Sequence, residues 1–205
     1  IESVLATKPT WLVMGGSLPR GLDGSYYVEL AERARAHGVR VAVDTSGSAL
    51  RAVAHAGAAD LLKPNHEELE ELAGHSLPTV EDVTDYARSI LRNAEAAILV
   101  SLGEHGAILV TSEHTVWANH APVDADSTVG AGDSSLAGYL SADLRTKSNY
   151  SDLRDALTEK VSTAVAWGAA AVQLPGTTVP GPQDITFDKV TAQASPNPQA
   201  RIEEL

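Results

Sequence analysis

Apolar runs alternate with helical stretches along the first half of this chain, and no other feature of the sequence limits its fold as strongly. The predicted strands cover residues 10–15, 39–44, 60–63 and 96–102. The predicted helices between them cover residues 23–37, 49–56, 65–73 and 79–93. Because this alternation is typical of parallel βαβ units, the sequence predicts an α/β fold with helices on both faces of a sheet. Such folds bind ligands beyond the carboxyl ends of their strands.

The second half of the chain departs from this alternation. Two apolar runs lie only three residues apart, which predicts a β-hairpin, and a glycine-rich turn then precedes two alanine-rich helices. The tail after Pro175 is rich in Pro, Gly and Gln. With no internal repeat, we expect one domain spanning residues 1–205. The predicted elements here are strands at 107–111, 115–118 and 185–187 and helices at 133–144 and 152–172.

The composition excludes several classes of protein. Lys and Arg total 15 and Asp and Glu total 27, a formal net charge of −12. A chain this acidic lacks the basic face that nucleic-acid binding needs, and anionic membrane surfaces repel it. The absence of cysteine excludes disulfides, thiolate metal sites and cysteine nucleophiles. No apolar run approaches the roughly 20 residues of a membrane span, and the start lacks a signal-peptide pattern. We therefore expect a cytoplasmic enzyme or binding protein. The formal glycosylation sequon at 149–151 would not be glycosylated in such a protein.

The segment 127–134, Ser-Thr-Val-Gly-Ala-Gly-Asp-Ser, carries the strongest chemical signal. A helix that begins here offers free N–H groups and partial positive charge, and glycines let a phosphate approach the backbone. Asp133 would then be a carboxylate beside an anion-binding turn, which suits a base that takes a proton from a hydroxyl during phosphoryl transfer. Taken alone, the four residues Gly-Ala-Gly-Asp are more often an ordinary turn followed by a first-turn acid.

This segment resembles the C-terminal signature of the ribokinase/PfkB family of sugar kinases, and four further segments match the phosphofructokinase branch of that family in the same order. The match extends over most of residues 11–177 and implies a three-layer α/β, ribokinase-like fold with a mostly parallel sheet and an antiparallel hairpin. The four segments are Gly-Ser-Leu-Pro-Arg-Gly at 16–21, Asp-Thr-Ser-Gly at 44–47, Lys-Pro-Asn-His-Glu-Glu at 63–68 and Ser-Leu-Gly-Glu-His-Gly-Ala at 101–107.

The resemblance implies a role for each matching position. Asp133 is the catalytic base, and the backbone N–H groups of Gly130, Ala131, Gly132 and Asp133 form the anion hole. The small side chains near 169–171 flank the adenine, and Ser17 meets the phosphate already on the sugar. The residues assigned to ATP and Mg²⁺ are Lys63, Asn65, Ser101, Gly103, Gly106, Thr128 and Gly132 for the nucleotide and Asn65 and Glu68 for the metal.

Elementary chemistry is compatible with these roles. Lys63 lies at the end of a strand and is expected to be a mobile point charge suited to phosphate. Glu68 lies three residues after Asn65, so both face the same way on a helix, and hard oxygen donors suit Mg²⁺. Each residue also has an ordinary structural interpretation. Asn65 alone is more often a helix cap, Glu68 a solvated surface acid, and Ser101-Leu-Gly a plain strand exit.

The function expected from the resemblance is ATP-dependent phosphorylation of a sugar phosphate, with fructose 1-phosphate as the first choice and fructose 1,6-bisphosphate as its product. Tagatose 6-phosphate and fructose 6-phosphate are alternative acceptors, since most sugar-contacting residues of the family lie upstream of this sequence. A second alternative is a nucleotide-binding regulatory protein that has lost turnover.

Members of the family also carry first sheet strands, a β-lid and a sugar-gripping turn ahead of the strand at 10–15. None of these is found in the 205 residues. We therefore expect this chain alone to be a poor kinase, unless further residues precede it in the protein. Homodimers form through the lid in this family, and a homodimer is the expected assembly where the lid is present.

Overall fold

The computed structural model describes residues 1–146 and 152–205, so the sequon at 149–151 lies outside the described residues. The strands are β1 (Trp11–Gly15), β2 (Arg40–Asp44), β3 (Leu61–Leu62), β4 (Ala97–Ser101), β5 (Ala107–Val110), β6 (Thr115–His120) and β7 (Val190–Ala194). The helices are α1 (Glu2–Leu5), α2 (Ser25–Ala36), α3 (Gly47–Ala56), α4 (His66–Ala73), α5 (Val80–Ile90), α6 (Ala131–Thr146) and α7 (Leu153–Val172). Short 3₁₀ turns occur at Gly103–His105, Pro182–Asp184 and Ile202–Glu204.

The strands form a mixed sheet in the order β1 to β7, and the fold is the three-layer α/β arrangement that the sequence predicts. Strands β1 to β4 pair in parallel, with Gly15 opposite Asp44 and Leu62 opposite Ile98. β6 and β7 pair antiparallel. The middle of β2 is fully buried at Val41 to Val43, as expected for a parallel strand covered on both faces.

The chain contains two compact units. The first comprises residues 1–100 and 110–113, and the second comprises 101–109 and 114–205. The core of the first unit includes Val41, Val53, Leu61, Leu69 and Val83, and that of the second includes Ile108, Leu109, Val116, Ala142 and Val161.

Helices α6 and α7 pack closely in the second unit because Gly138 lets their backbones approach. A Cβ atom at Gly138 would lie 2.7 Å from the Thr163 carbonyl oxygen and 3.0 Å from the side chain of Trp167. Among the described residues, no helix is both long enough and apolar enough to cross a bilayer.

Most predicted elements are present, but one predicted strand is absent and several helix bounds differ by two or three residues. The strand expected at 185–187 does not form: these residues are coil, and Phe187 is 52% exposed. The strand that does form in the tail is β7, which pairs with β6 through its backbone although its side chains show little apolar alternation. Helix α6 begins at Ala131, two residues before the predicted start, and α5 ends at Ile90 rather than at 93.

Candidate active site

The turn after β1 is held in place by two buried side chains of the first unit. The Tyr27 hydroxyl, on α2, shares its single proton between the carbonyl oxygens of Gly15 at 3.0 Å and Gly16 at 3.1 Å. The Thr45 hydroxyl, which follows β2, donates to the same Gly16 oxygen at 2.8 Å. Ser17, the predicted sugar-phosphate contact, is exposed directly beyond this turn.

Lys63 does not have the free charge that the sequence suggests. It is only 5% exposed, and its Nζ lies 2.9 Å from Oδ2 of Asp44. The pair forms because β2 and β3 are parallel neighbours, with Val43 opposite Leu62, so the residues that follow these positions meet at one edge of the sheet. The expectation of a mobile point charge is therefore wrong, and a role of Lys63 in phosphate binding stays a prediction.

Asn65 and Glu68 cap α4 reciprocally. The Asn65 side-chain oxygen accepts from the Glu68 N–H at 2.7 Å, and Glu68 Oε2 accepts from the Asn65 N–H at 2.8 Å. This is a capping box, the structural alternative recognised for Asn65. The box occupies one lone pair on each side-chain oxygen and leaves Glu68 Oε1 outside it. Hard oxygen donors therefore remain, and they fit a Mg²⁺ ion that keeps most of its waters. Within the described residues no group of three or more His, Asp or Glu side chains could hold a metal by itself.

The 101–106 segment of the second unit forms a tight turn between β4 and β5. The Leu102 N–H donates to the Gly106 carbonyl oxygen at 2.8 Å, and the Gly106 N–H donates to Gly103 at 3.2 Å. Gly106 has a φ of +84°, and a Cβ there would lie 2.0 Å from the Ala118 carbonyl oxygen. Only glycine fits this contact with β6, so Gly106 has a structural requirement independent of any nucleotide.

The glycine-rich segment is anchored to the end of α7. The Asp126 N–H donates to the Val172 carbonyl oxygen at 2.7 Å, and the Ser127 N–H donates to the same oxygen at 3.2 Å. Thr128 is exposed beyond this anchor. Gly130 has a φ of +80°, a left-handed conformation that turns the chain into α6.

The start of α6 leaves backbone donors available next to Asp133. Ala131, Gly132 and Asp133 are the first three helical residues, and the first helical bond runs from the Ser134 N–H to the Gly130 carbonyl oxygen at 2.9 Å. Within the described chain, the N–H groups of Gly130, Gly132 and Asp133 have no acceptor, whereas Ala131 N–H makes a long 3.4 Å contact to the Thr128 carbonyl oxygen. The Asp133 side chain is exposed.

The structure thus groups the predicted residues within each unit. In the first unit, the ends of β1, β2 and β3 place the 15–17 turn, Asp44 and Lys63 at one edge of the sheet, with α4 following. The second unit contains the 101–106 turn and the 128–133 segment. Of the residues expected to flank adenine, Ala170 and Ala171 are each 3% exposed, whereas Ala169 is half-buried. Sequence reasoning missed Tyr27, because a tyrosine in an amphipathic helix gives no signal of the turn it contacts.

A mostly parallel sheet flanked by helices, with one helix that begins at a glycine-rich turn, places the chain among the three-layer α/β proteins. Within that class, the chain belongs to the PfkB family: the pfkB family carbohydrate kinase model matches residues 4–184.

Three known proteins illustrate the relationship. A 1-phosphofructokinase of Rhodobacter capsulatus is 40% identical over 142 residues, which are 69% of this chain and 45% of the relative. The ATP-dependent 6-phosphofructokinase isozyme 2 of Escherichia coli is 39% identical over 167 residues, 81% of this chain and 52% of the relative. A crystal structure of Escherichia coli phosphofructokinase-2 in complex with substrates and products matches with a TM-score of 0.76 and 34% identity, covering 89% of this chain and 58% of that one.

These matches confirm the resemblance to bacterial phosphofructokinases that the five sequence segments predict. The chain spans about half the length of the curated relatives it matches, 45% and 52% of the two named above.

Proposed function

We propose that the protein transfers the γ-phosphate of ATP to a hydroxyl group of a sugar phosphate, with fructose 1-phosphate as the acceptor and fructose 1,6-bisphosphate as the product. The observation that carries this proposal is the start of α6. There an exposed carboxylate, Asp133, is the third helical residue and lies next to backbone donors of Gly130 and Gly132 that no described residue occupies. A helix start of this kind favours negative charge, as the transferred phosphoryl group requires.

The proposed chemistry assigns distinct tasks to the two sides of this helix start. Asp133 accepts the proton of the acceptor hydroxyl as that oxygen bonds to the γ-phosphorus and ADP departs. The N–H groups of Gly130 and Gly132 donate to the oxygens of the transferring group, whose charge grows in a loose transition state. Lys63, Ser101, Gly103, Gly106 and Thr128 are proposed nucleotide contacts, and Ser17 is the proposed contact of the acceptor's own phosphate.

Asn65 and Glu68 are the residues proposed to organise Mg²⁺ and its waters. Bound with the nucleotide, the ion supplies positive charge that offsets the charge of the phosphates. The capping box keeps both side chains in one orientation before any ligand arrives.

The base assignment is tested by Asp133→Asn in the full product of the gene. We expect the turnover rate to fall about 100-fold, the usual contribution of a general base, with little change in ATP affinity. The matched control is Asp155→Asn, because Asp155 is the exposed third residue of α7 in the same unit. A near-normal rate for Asp133→Asn, or equal losses in both variants, would contradict the assignment.

The acceptor is tested by measuring ADP release from Mg·ATP with fructose 1-phosphate, fructose 6-phosphate and tagatose 6-phosphate in parallel. The similarity to a 1-phosphofructokinase favours the first, and the similarity to a 6-phosphofructokinase isozyme keeps fructose 6-phosphate as a second candidate. A preference for fructose 1-phosphate supports the proposal. ATP binding without turnover of any acceptor favours instead a regulatory nucleotide-binding protein.

A homodimer formed through the β-lid of the family stays a prediction.

A further inference from the structure

The turn that follows β1 has occupied acceptors and free donors. Its acceptors are engaged: the Gly16 carbonyl oxygen receives hydrogen bonds from Tyr27 and Thr45, and the Gly15 carbonyl oxygen also lies within reach of the Tyr27 hydroxyl. The donors of Ser17, by contrast, are not engaged. Neither the hydroxyl nor the N–H of exposed Ser17 donates a hydrogen bond to any residue that the structure describes.

This asymmetry matters for an anionic ligand. A carbonyl oxygen carries partial negative charge and would repel a phosphate that approached it directly. Buried side-chain hydroxyls that donate to these oxygens fix their orientation and partly offset their charge. The N–H and O–H donors of Ser17 then remain available to a ligand, while the two glycine carbonyl oxygens are already hydrogen-bonded.

The Tyr27 and Thr45 side chains, which donate to the turn, are both buried in the first unit. Tyr27 is 7% exposed and Thr45 is 4% exposed, so each contacts the turn from inside the protein rather than from solvent. The Tyr27 phenol keeps its proton at neutral pH, because its usual pKa is 10.0 and burial raises that pKa. The Gly16 N–H donates to the Asp44 carbonyl oxygen at 2.9 Å and extends the β1–β2 ladder to the turn. Both polar backbone groups of Gly16 are therefore fixed.

We propose that Tyr27 and Thr45 are positioning residues for the phosphorylated acceptor, because they hold the Gly15 and Gly16 carbonyl oxygens inward and leave the donors of Ser17 to face the acceptor's phosphate. This inference rests on the proposed function. It adds to that function a pair of buried hydroxyls whose effect is confined to the acceptor and does not extend to ATP.

The test uses steady-state kinetics of the full gene product, with Tyr27→Phe and Thr45→Val. Each substitution removes one hydroxyl and nearly conserves the volume of the side chain. We expect either variant to raise the KM for the sugar phosphate about fivefold, the effect of one net hydrogen bond, with little change in the KM for ATP. Thr45→Ser keeps the hydroxyl and removes only a methyl group. Its KM for the sugar phosphate should therefore stay close to that of the unsubstituted protein.

The matched control is Tyr86→Phe, since Tyr86 is a partly buried tyrosine on α5 of the same unit. It should change neither KM. Hydrogen exchange of the ligand-free protein adds a readout that needs no turnover: peptides covering residues 15–22 should exchange faster in Tyr27→Phe but not in Tyr86→Phe.

The outcomes separate the two proposals. If the unsubstituted protein phosphorylates a sugar phosphate but the acceptor KM is unchanged in both hydroxyl variants, or if the KM for ATP rises equally, the positioning role is wrong and the proposed function stands. If the unsubstituted protein turns over none of the three acceptors, the proposed function fails and the acceptor role fails with it. A raised acceptor KM together with faster exchange confined to residues 15–22 supports the inference.

Discussion

Lys63 holds a positive charge at a position that is almost wholly covered by protein, and Asp44 is the carboxylate that compensates it. Removing one partner of such a pair leaves the other charge buried and uncompensated. Because the Asp44 side chain is 21% exposed, we expect Asp44→Asn to lower the free energy of unfolding by about 2 kcal/mol, below the range for a fully buried pair. Urea denaturation measures this loss.

A double-mutant cycle distinguishes the pair from general damage at the site. Lys63→Met added to Asp44→Asn removes the stranded charge, so the double variant should be more stable than Asp44→Asn alone. The control is Glu203→Gln, which breaks an exposed 2.7 Å pair with Arg201 and should cost less than about 0.5 kcal/mol. Additive losses in the cycle would mean that Lys63 and Asp44 do not stabilise each other.

Tyr27 makes stability depend on pH at the alkaline end. Burial raises the pKa of its phenol in the folded protein, while the unfolded chain releases the same proton near 10.0. Between these two pKa values the unfolded state binds fewer protons than the folded state, so the free energy of unfolding falls as pH rises. Well below pH 10 the phenol is protonated in both states, so it does not make the free energy of unfolding depend on pH. Denaturation curves at increasing alkaline pH should show a shallower decline for Tyr27→Phe, and an identical slope would contradict the assignment.

The pairing of Lys63 shows where residue-level prediction from the sequence ends. The sequence places Asp44 and Lys63 after consecutive strands, which is enough to expect them at one edge of a sheet. It does not give the parallel register that brings Oδ2 and Nζ to 2.9 Å, because that register depends on contacts distant in sequence. Asn65 is predictable as a cap for the opposite reason: the capping pattern is local to four residues.

Helix α4 combines a structural cap with a proposed metal site, and Glu68→Gln separates the two roles. Glutamine keeps a side-chain oxygen that accepts the Asn65 N–H but removes the negative charge. We therefore expect the free energy of unfolding to be nearly unchanged, while the Mg²⁺ concentration needed for half-maximal activity rises about tenfold.

The control for this experiment is Asp82→Asn on the neighbouring helix. Thr79 and Asp82 form an equivalent capping box at the start of α5, so the same loss of charge occurs in the same structural setting. No change in Mg²⁺ dependence is expected there. If both variants shift the Mg²⁺ requirement equally, the shift comes from the loss of one negative charge anywhere near the site, and the assignment of Glu68 to the metal is wrong.

At the scale of elements, the sequence predicts helices and buried strands better than the tail. The runs that form β2 and β4 are apolar because both faces are covered, so burial leaves a clear signal. The run that forms β1 is equally apolar, although only Met14 is buried and Val13 is 49% exposed. β7 has a burial pattern that is almost wholly exposed, and its pairing with β6 depends on backbone hydrogen bonds, which the residue types do not encode. The residue types favour the more apolar segment at 185–187 instead, and it lies in coil.

The two compact units of the whole molecule raise the question of how many domains the chain contains. Domain boundaries ordinarily fall in exposed linkers that few contacts cross. One of the three divisions here falls between Glu113 and His114, in the loop between β5 and β6. The other two fall between Val100 and Ser101, inside β4, and between Leu109 and Val110, inside β5. A unit could separate at these two points only if a strand came apart. We therefore expect residues 1–205 to unfold as a single domain.

Three tryptophans allow a direct test. Trp11 belongs to the first unit, whereas Trp117 and Trp167 belong to the second. In variants that keep one tryptophan and replace the other two by phenylalanine, the fluorescence transition in urea should coincide with the loss of helical circular dichroism in the same variant. Because each variant carries its own stability, the comparison is made within a variant and not between them. A midpoint for Trp11 that differs from its own dichroism midpoint would mean that the first unit unfolds by itself, and residues 1–205 would then contain two domains.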